Sequence, residues 1–165
     1  MAALCPLTAL LCLAAALLTT GAPVNSDHGC PEGWSPFGTR CFKFFGSLVT
    51  WTQAEKSCQS RGANLASIHN PEENAFVVDL IKKDNGENQL TWIGGHDGLK
   101  ENLWMWSDGS VWGYNNWASN QPDNSGGNEN FVSLYWPGAL EYWNDANETM
   151  PLKYICAKDA PPVCT

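Results

Sequence analysis

Basic residues are scarce in this chain, with nine lysines and arginines set against seventeen aspartates and glutamates and a net charge of −8. They form no cluster. Phosphate backbones and anionic lipid surfaces are gripped by grouped cations, so nucleic acid and anionic membranes are excluded as natural partners. The longest apolar run, Leu4 to Leu18, falls short of the ~20 residues that a bilayer-spanning helix requires, so no membrane insertion is expected. Histidine is also sparse: His28, His69 and His96 are scattered. Neither a Gly-x-Ser-x-Gly elbow nor a His-Glu-x-x-His helix occurs, so nothing assembles a nucleophile or a protease metal and the protein is expected not to be an enzyme. Internal repeats and low-complexity tracts are missing too, and the length of the chain fits one domain.

What is present starts with a leader. Leu4 to Leu18 is apolar without a charge and gives way to Thr19, Thr20, Gly21 and Ala22. A membrane anchor and a buried helix are the alternatives, but about 15 apolar residues fit a signal peptide better, despite the missing basic residue near Met1. Residues 1–22 are therefore read as a cleaved signal peptide and 23–29 as a short polar leader. The domain is expected over 30–158, with 159–165 as a tail, in a secreted, extracellular protein. Cleavage removes Cys5 and Cys12 and leaves Cys30, Cys41, Cys58, Cys156 and Cys164. Thiols pair in an oxidising compartment, and an odd number leaves one unpaired or bridged outward.

Local signals define a mixed chain. Cys30 and Cys41 bracket a Pro- and Gly-rich segment and are expected to staple an N-terminal hairpin whose second strand includes Arg40 to Phe45. Thr50 with Gln53 forms a capping box, Trp51, Ala54 and Cys58 follow at helical spacing, and Gly62 stops the helix. A second helix opens on Asn70, Pro71 and Glu73, buries Phe76, Val77, Leu80 and Ile81, and ends on Lys82 and Lys83. Beyond residue 90 the helical period disappears. Leu90 to Ile93, Trp104 to Trp106, Phe131 to Tyr135 and Tyr154 to Ala157 read as short strands. Residues 107–130 are too long for an ordinary connection and too aromatic for disorder, which marks a functional loop. Nine tryptophans require that many be core, each indole N–H needing a partner.

Five oxygen-bearing side chains stand out in the turn-rich part of the chain: Gln121, Asp123, Glu129, Asn144 and Asp145. Calcium takes six to eight hard oxygens from such a mixture of carboxylates and amides. Zinc calls for Cys or His, which are missing here. Three acids beside two amides suit a cation better than a proton shared between Asp123 and Glu129. The ion expected is Ca²⁺.

Trp92-Ile93-Gly94-Gly95, Gln121-Pro122-Asp123, Glu129 and Trp143-Asn144-Asp145 together resemble the C-type lectins, most closely the small secreted lectins of fish type, over residues 30–157. The resemblance implies an α+β, double-loop fold in which two helices flank small antiparallel sheets and a long loop carries calcium and sugar. It implies that Pro122 is cis and that Cys58 pairs with Cys156. It implies metal ligation by Gln121, Asp123, Glu129, Asn144 and Asp145, and sugar binding by the first four. Gln121 and Asn144 would donate, Asp123 and Glu129 would accept, and Asp145 would mainly hold the metal. Gln-Pro-Asp members favour galactose over mannose, so galactosides such as lactose on cell or microbial surfaces are the implied partners, and an agglutinin of innate defence the implied role. The chain departs from the family in three ways. The second bridge, which staples the calcium loop, is replaced by Phe131 and Glu148. Asn124 and Ser125 stand where an aromatic ring usually stacks on the sugar, leaving Tyr135 or Trp136 as substitutes. Cys164 has no partner in the family pattern, which favours a disulfide-linked homodimer. Asn147-Glu148-Thr149 is a glycosylation sequon. Calcium-independent lactose binding, ice binding and protein recognition are the alternatives that this resemblance brings with it.

Overall fold

The computed structural model describes residues 29–85, 90–136 and 139–162. The signal peptide at 1–22, nearly all of the 23–29 leader and Cys164 lie outside the described residues, as do the side chains of Tyr135 and Trp136. The order of elements is β1 (Ser35–Phe37), β2 (Arg40–Val49), α1 (Trp51–Gln59), β3 (Asn64–Leu65), α2 (Pro71–Asn85), β4 (Thr91–His96), β5 (Met105–Trp106), a short 3₁₀ turn (Ser125–Gly127), β6 (Phe131–Trp136), β7 (Ala139–Ala146) and β8 (Leu152–Asp159).

Both helices start where their caps place them. The Thr50 hydroxyl accepts the Gln53 N–H at 3.3 Å while Gln53 Oε1 accepts the Thr50 N–H at 3.1 Å, so each satisfies an orphan donor of the other. Helix α1 then buries Trp51, Ala54, Glu55 and Cys58. Asn70 Oδ1 accepts the Glu73 N–H at 2.8 Å, and α2 buries Val77, Val78, Leu80 and Ile81 with Phe76 at the margin. Glu55 is buried yet fully engaged. It accepts from Asn64 Nδ2 (2.6 Å), Gln59 Nε2 (2.9 Å), the Leu65 N–H (2.8 Å) and Ser107 Oγ (3.0 Å), tying α1 to β3 and to the segment after β5.

The strands form one eight-stranded sheet in the order β1-β2-β8-β4-β6-β7, with β3 paired to β8 and β5 to β4. The pairings are antiparallel, as the resemblance implies, except that β4 runs parallel to β8, which makes the sheet mixed. A correction concerns β7. Its sequence, ALEYWNDA, has few β-branched residues and a polar end that reads as a turn. Pairing with β6 through Ser133↔Asn144, Val132↔Asp145 and Leu134↔Trp143 nevertheless makes it a strand, because tertiary pairing overrides intrinsic preference.

Two glycines explain the Trp-Ile-Gly-Gly motif. A Cβ on Gly94 would lie 2.6 Å from the Leu65 carbonyl oxygen, and one on Gly95 would lie 2.5 Å from Val132 Cγ2. Only hydrogen side chains let β4 approach its neighbours that closely. Trp143 is fully buried, its ring edge-on to Trp106, Trp112, Tyr114 and Trp117 at centroid distances of 5.6–5.9 Å, and its indole N–H donates to Asn74 Oδ1 at 2.8 Å. Disulfides join Cys30 to Cys41 at the β1–β2 hairpin and Cys58 to Cys156, linking α1 to β8. Both pairings expected from the sequence are present.

Candidate functional site

The segment between β5 and β6 turns back on itself at residues 120–130. The Gln121–Pro122 peptide is cis, and Asn120 and Asn124 take left-handed backbone angles of φ 66° and 44°. Asparagine tolerates this region better than most side chains because its amide bonds locally. The fold carries Glu129 to the start of β6 and holds Asp145 on the paired strand β7, so that acids distant in sequence meet.

Carboxylate oxygens of Asp123, Glu129 and Asp145 lie within 4.8 Å of one another, the one such acidic group able to hold a metal ion among the described residues. Asp145 is almost completely buried. Its Oδ1 accepts the Asp123 N–H at 3.1 Å and its Oδ2 the Asn124 N–H at 2.7 Å. The Ser125 N–H is shared between Asp123 Oδ1 (3.1 Å) and Glu129 Oε2 (3.0 Å). Gln121 joins through its Oε1, which accepts the Asp123 N–H at 3.1 Å. Three successive backbone N–H groups thus face the acids and offset part of their mutual repulsion.

The offset is incomplete. Burial, followed by the charges of Asp145 and Asp123, pushes the Glu129 carboxyl above its ordinary value. Burial also raises Asp145, the Asp123 charge adding to it, against the lowering effect of the Asn124 and Asp123 N–H bonds. Removing a carboxylate from water and placing it beside others both disfavour the charged form.

Asn144 neighbours the trio on β7. Its Nδ2 donates to the Asp145 carbonyl oxygen, while its Oδ1 is buried without a hydrogen-bond partner. Buried acceptors are rarely left so, and each exception needs an explanation. The structure therefore gathers Asp123, Glu129 and Asp145 directly and sets Gln121 and Asn144 at their margin.

Two residues of this neighbourhood escaped the sequence reading. Asn124, noted there only for lacking a ring, is the hub of the loop. Its N–H goes to Asp145, its Oδ1 accepts the Glu129 N–H at 3.1 Å, and its Nδ2 donates to Glu101 Oε2 at 2.5 Å. Glu101, more than twenty residues earlier, thereby fastens the preceding loop to the site. An asparagine following Pro-Asp is a signal for a left-handed turn, but nothing in the sequence points to Glu101 as its partner.

The two positions of the missing bridge both touch α1. The Phe131 ring lies 4.6 Å from that of Trp51, the Glu148 carbonyl oxygen accepts the Trp51 N–H at 3.2 Å, and Glu148 Oε1 accepts from Thr52 Oγ1. In the sequon, Asn147 Oδ1 accepts from Thr149 N (2.9 Å) and Oγ1 (2.6 Å), and its Nδ2 reaches the Asn128 carbonyl at 3.3 Å.

The lectin C-type domain model matches residues 47–158, a span that contains both helices and the whole acidic cluster. The chain belongs to the C-type lectin family. This C-type lectin is 43% identical over 154 residues to the galactose-specific lectin nattectin of Thalassophryne nattereri, the match covering 92% of the chain and 95% of nattectin. Among solved structures it superposes on the C-type lectin CEL-I of Cucumaria echinata with a TM-score of 0.76 at 31% identity, over 81% of the chain and 99% of CEL-I. It also resembles the herring type II antifreeze protein, with a TM-score of 0.72 at 36% identity over 80% of the chain and all of that protein. No helix among the described residues is long and apolar enough to cross a membrane.

Proposed function

We propose that this lectin is a secreted protein that binds galactose-type sugars with the help of a calcium ion held by the long loop. The observation that carries the reading is the acidic trio beside an orphaned Asn144 Oδ1. Three mutually repelling carboxylates and an unsatisfied amide oxygen form the hard-oxygen donor set that calcium prefers. Gln121, Asp123, Glu129, Asn144 and Asp145 are the residues that would hold it. Bound there, the ion would supply two coordination positions for neighbouring hydroxyls of a sugar.

Around those hydroxyls the chain's own groups set the preference. Asp123 and Glu129 accept sugar protons, whereas Gln121 and Asn144 present amide donors, and acids and amides cannot exchange these roles. Amide first and acid second in Gln121-Pro122-Asp123 is the order that the sequence resemblance connects with galactose, and the name of nattectin agrees with it. Asp145, almost completely buried and bonded to two backbone N–H groups, keeps the trio in register. A tail bridge through Cys164 would pair two sites on one dimer and strengthen binding to multivalent surfaces by effective concentration. The likeness to the antifreeze protein is carried by the fold. A cluster of converging acids on a folded-back loop is a poor template for the flat, regular face that ice requires.

The test is retention on immobilised lactose with calcium, with chelator, and with mannose as competitor. Retention is expected with calcium, with release by lactose or chelator but not by mannose. Retention unaffected by chelator would replace this reading with metal-free lactose binding, and no retention under any condition would sink it.

The raised carboxyls of Glu129 and Asp145 give a pH prediction. An ion must displace their protons, so calcium affinity falls as pH drops through their elevated folded values, starting above the ordinary 4.5 and 3.8. In the metal-free protein the linkage has the opposite sense. Folded values above unfolded ones mean that these two groups favour folding most at low pH, and that this contribution is lost as pH rises through the folded values. Calcium calorimetry and metal-free melting curves across mildly acidic pH measure the two effects, and parallel trends would contradict the assignment.

A further inference from the structure

Both residues that stand in place of the missing bridge converge on one turn of helix. Trp51 and Thr52 are the first two residues of α1. Trp51 is fixed in the core by its indole N–H, which donates to the Ile93 carbonyl at 2.9 Å, and by His96 and Phe131 on its ring, at 5.6 and 4.6 Å. Phe131 lies two residues beyond Glu129, and Glu148 three beyond Asp145. Each arm of the acidic cluster therefore runs directly into a contact with the same rigid turn.

We propose that Phe131 and Glu148 are positioning residues that dock the two arms of the cation and sugar loop onto the start of α1, a non-covalent clamp that sets Glu129 against Asp145. The inference rests on the function proposed above, since it assigns a role to the loop's rigidity. The chemistry fits the place. The first N–H groups of a helix have no partner within it, and the Glu148 carbonyl satisfies that of Trp51. The helix N-terminus also favours a carboxylate, and the Glu148 side chain sits there as acceptor for the Thr52 hydroxyl. Phe131 adds aromatic contact at a position paired in the sheet with Ala146, next to Asp145.

The clamp has a function because the acids repel. Without it, Glu129 and Asp145 would relax apart in the metal-free state, and each binding event would have to bring them back. With it, the donor oxygens are held within reach before the ion arrives, which lowers the ordering cost of binding. Glu148 acts on the ligand only through this placement.

Three variants test the clamp: Thr52→Val, which removes the hydroxyl at constant shape, Glu148→Ala, and Glu148→Gln, which keeps an oxygen acceptor. Amide hydrogen exchange in the metal-free protein reports on residues 123–130 directly. Exchange there should rise about tenfold in Thr52→Val and Glu148→Ala, the factor carried by a net hydrogen-bond contribution of about 1.4 kcal/mol. Amides of β2 and β8 should stay protected, and Glu148→Gln should recover most of the loss. Calcium affinity by calorimetry should weaken by about the same factor. Unchanged loop exchange in Thr52→Val and Glu148→Ala overturns the clamp. Should the unmodified protein bind no calcium, the cation reading fails by itself, and loop exchange still decides whether α1 holds the loop.

Discussion

Asp123→Asn and Asn144→Asp are each expected to abolish retention on lactose while leaving the fold intact. Asn at 123 keeps an oxygen for the Ser125 N–H but removes one of three negative charges and turns an acceptor-only group into a donor. Asp at 144 does the reverse, setting a fourth carboxylate beside an already repelling trio and deleting an amide donor. Each change disturbs at least two interactions with charged groups, so the expected fall in affinity is on the order of 100-fold. Calorimetry with lactose gives the affinity, and a circular-dichroism melt separates loss of site from loss of fold. Full lactose affinity in both variants would refute the site.

Removing the Cys58–Cys156 bridge as a pair of alanines costs far more stability than removing Cys30–Cys41. The first closes a loop with a sequence separation of 98, the second one of 11. In the chain-entropy model these are worth about 4.7 and about 2.8 kcal/mol. Cys58 and Cys156 are also fully buried between α1 and β8, so their loss adds a packing defect to the entropic one. Against a total stability of roughly 5–15 kcal/mol, the long bridge is a large fraction of what holds the domain folded. Guanidinium unfolding of the two double variants measures the difference. Equal midpoints would show that the long bridge constrains less of the unfolded chain than its span suggests.

The sequence revealed most of what is local and little of what is relational. Caps and stripes located both helices because Thr50, Gln53, Asn70 and Pro71 act within three residues of themselves. β7 was missed because its strand character comes from β6 across the sheet, and its polar end imitates a turn. Residue type singled out Gln121, Asp123, Glu129, Asn144 and Asp145, and loop and strand ends bring the carboxylates of Asp123, Glu129 and Asp145 within 4.8 Å of one another. The bond between Asn124 and Glu101 was invisible, because a hydrogen bond between two loops leaves no period to detect. The same holds for Phe131 and Glu148. The sequence showed a bridge lost from both positions, but only the fold shows that α1 receives both replacements.

Trp143 precedes Asn144 and Asp145 on β7 and sits at the centre of four other aromatic rings, three of them indoles. A displacement of the strand by a fraction of an ångström alters how these chromophores couple. If the neighbouring loop takes up the proposed ion, the expected readout is a change in ultraviolet emission or near-ultraviolet dichroism, without a dye or a label.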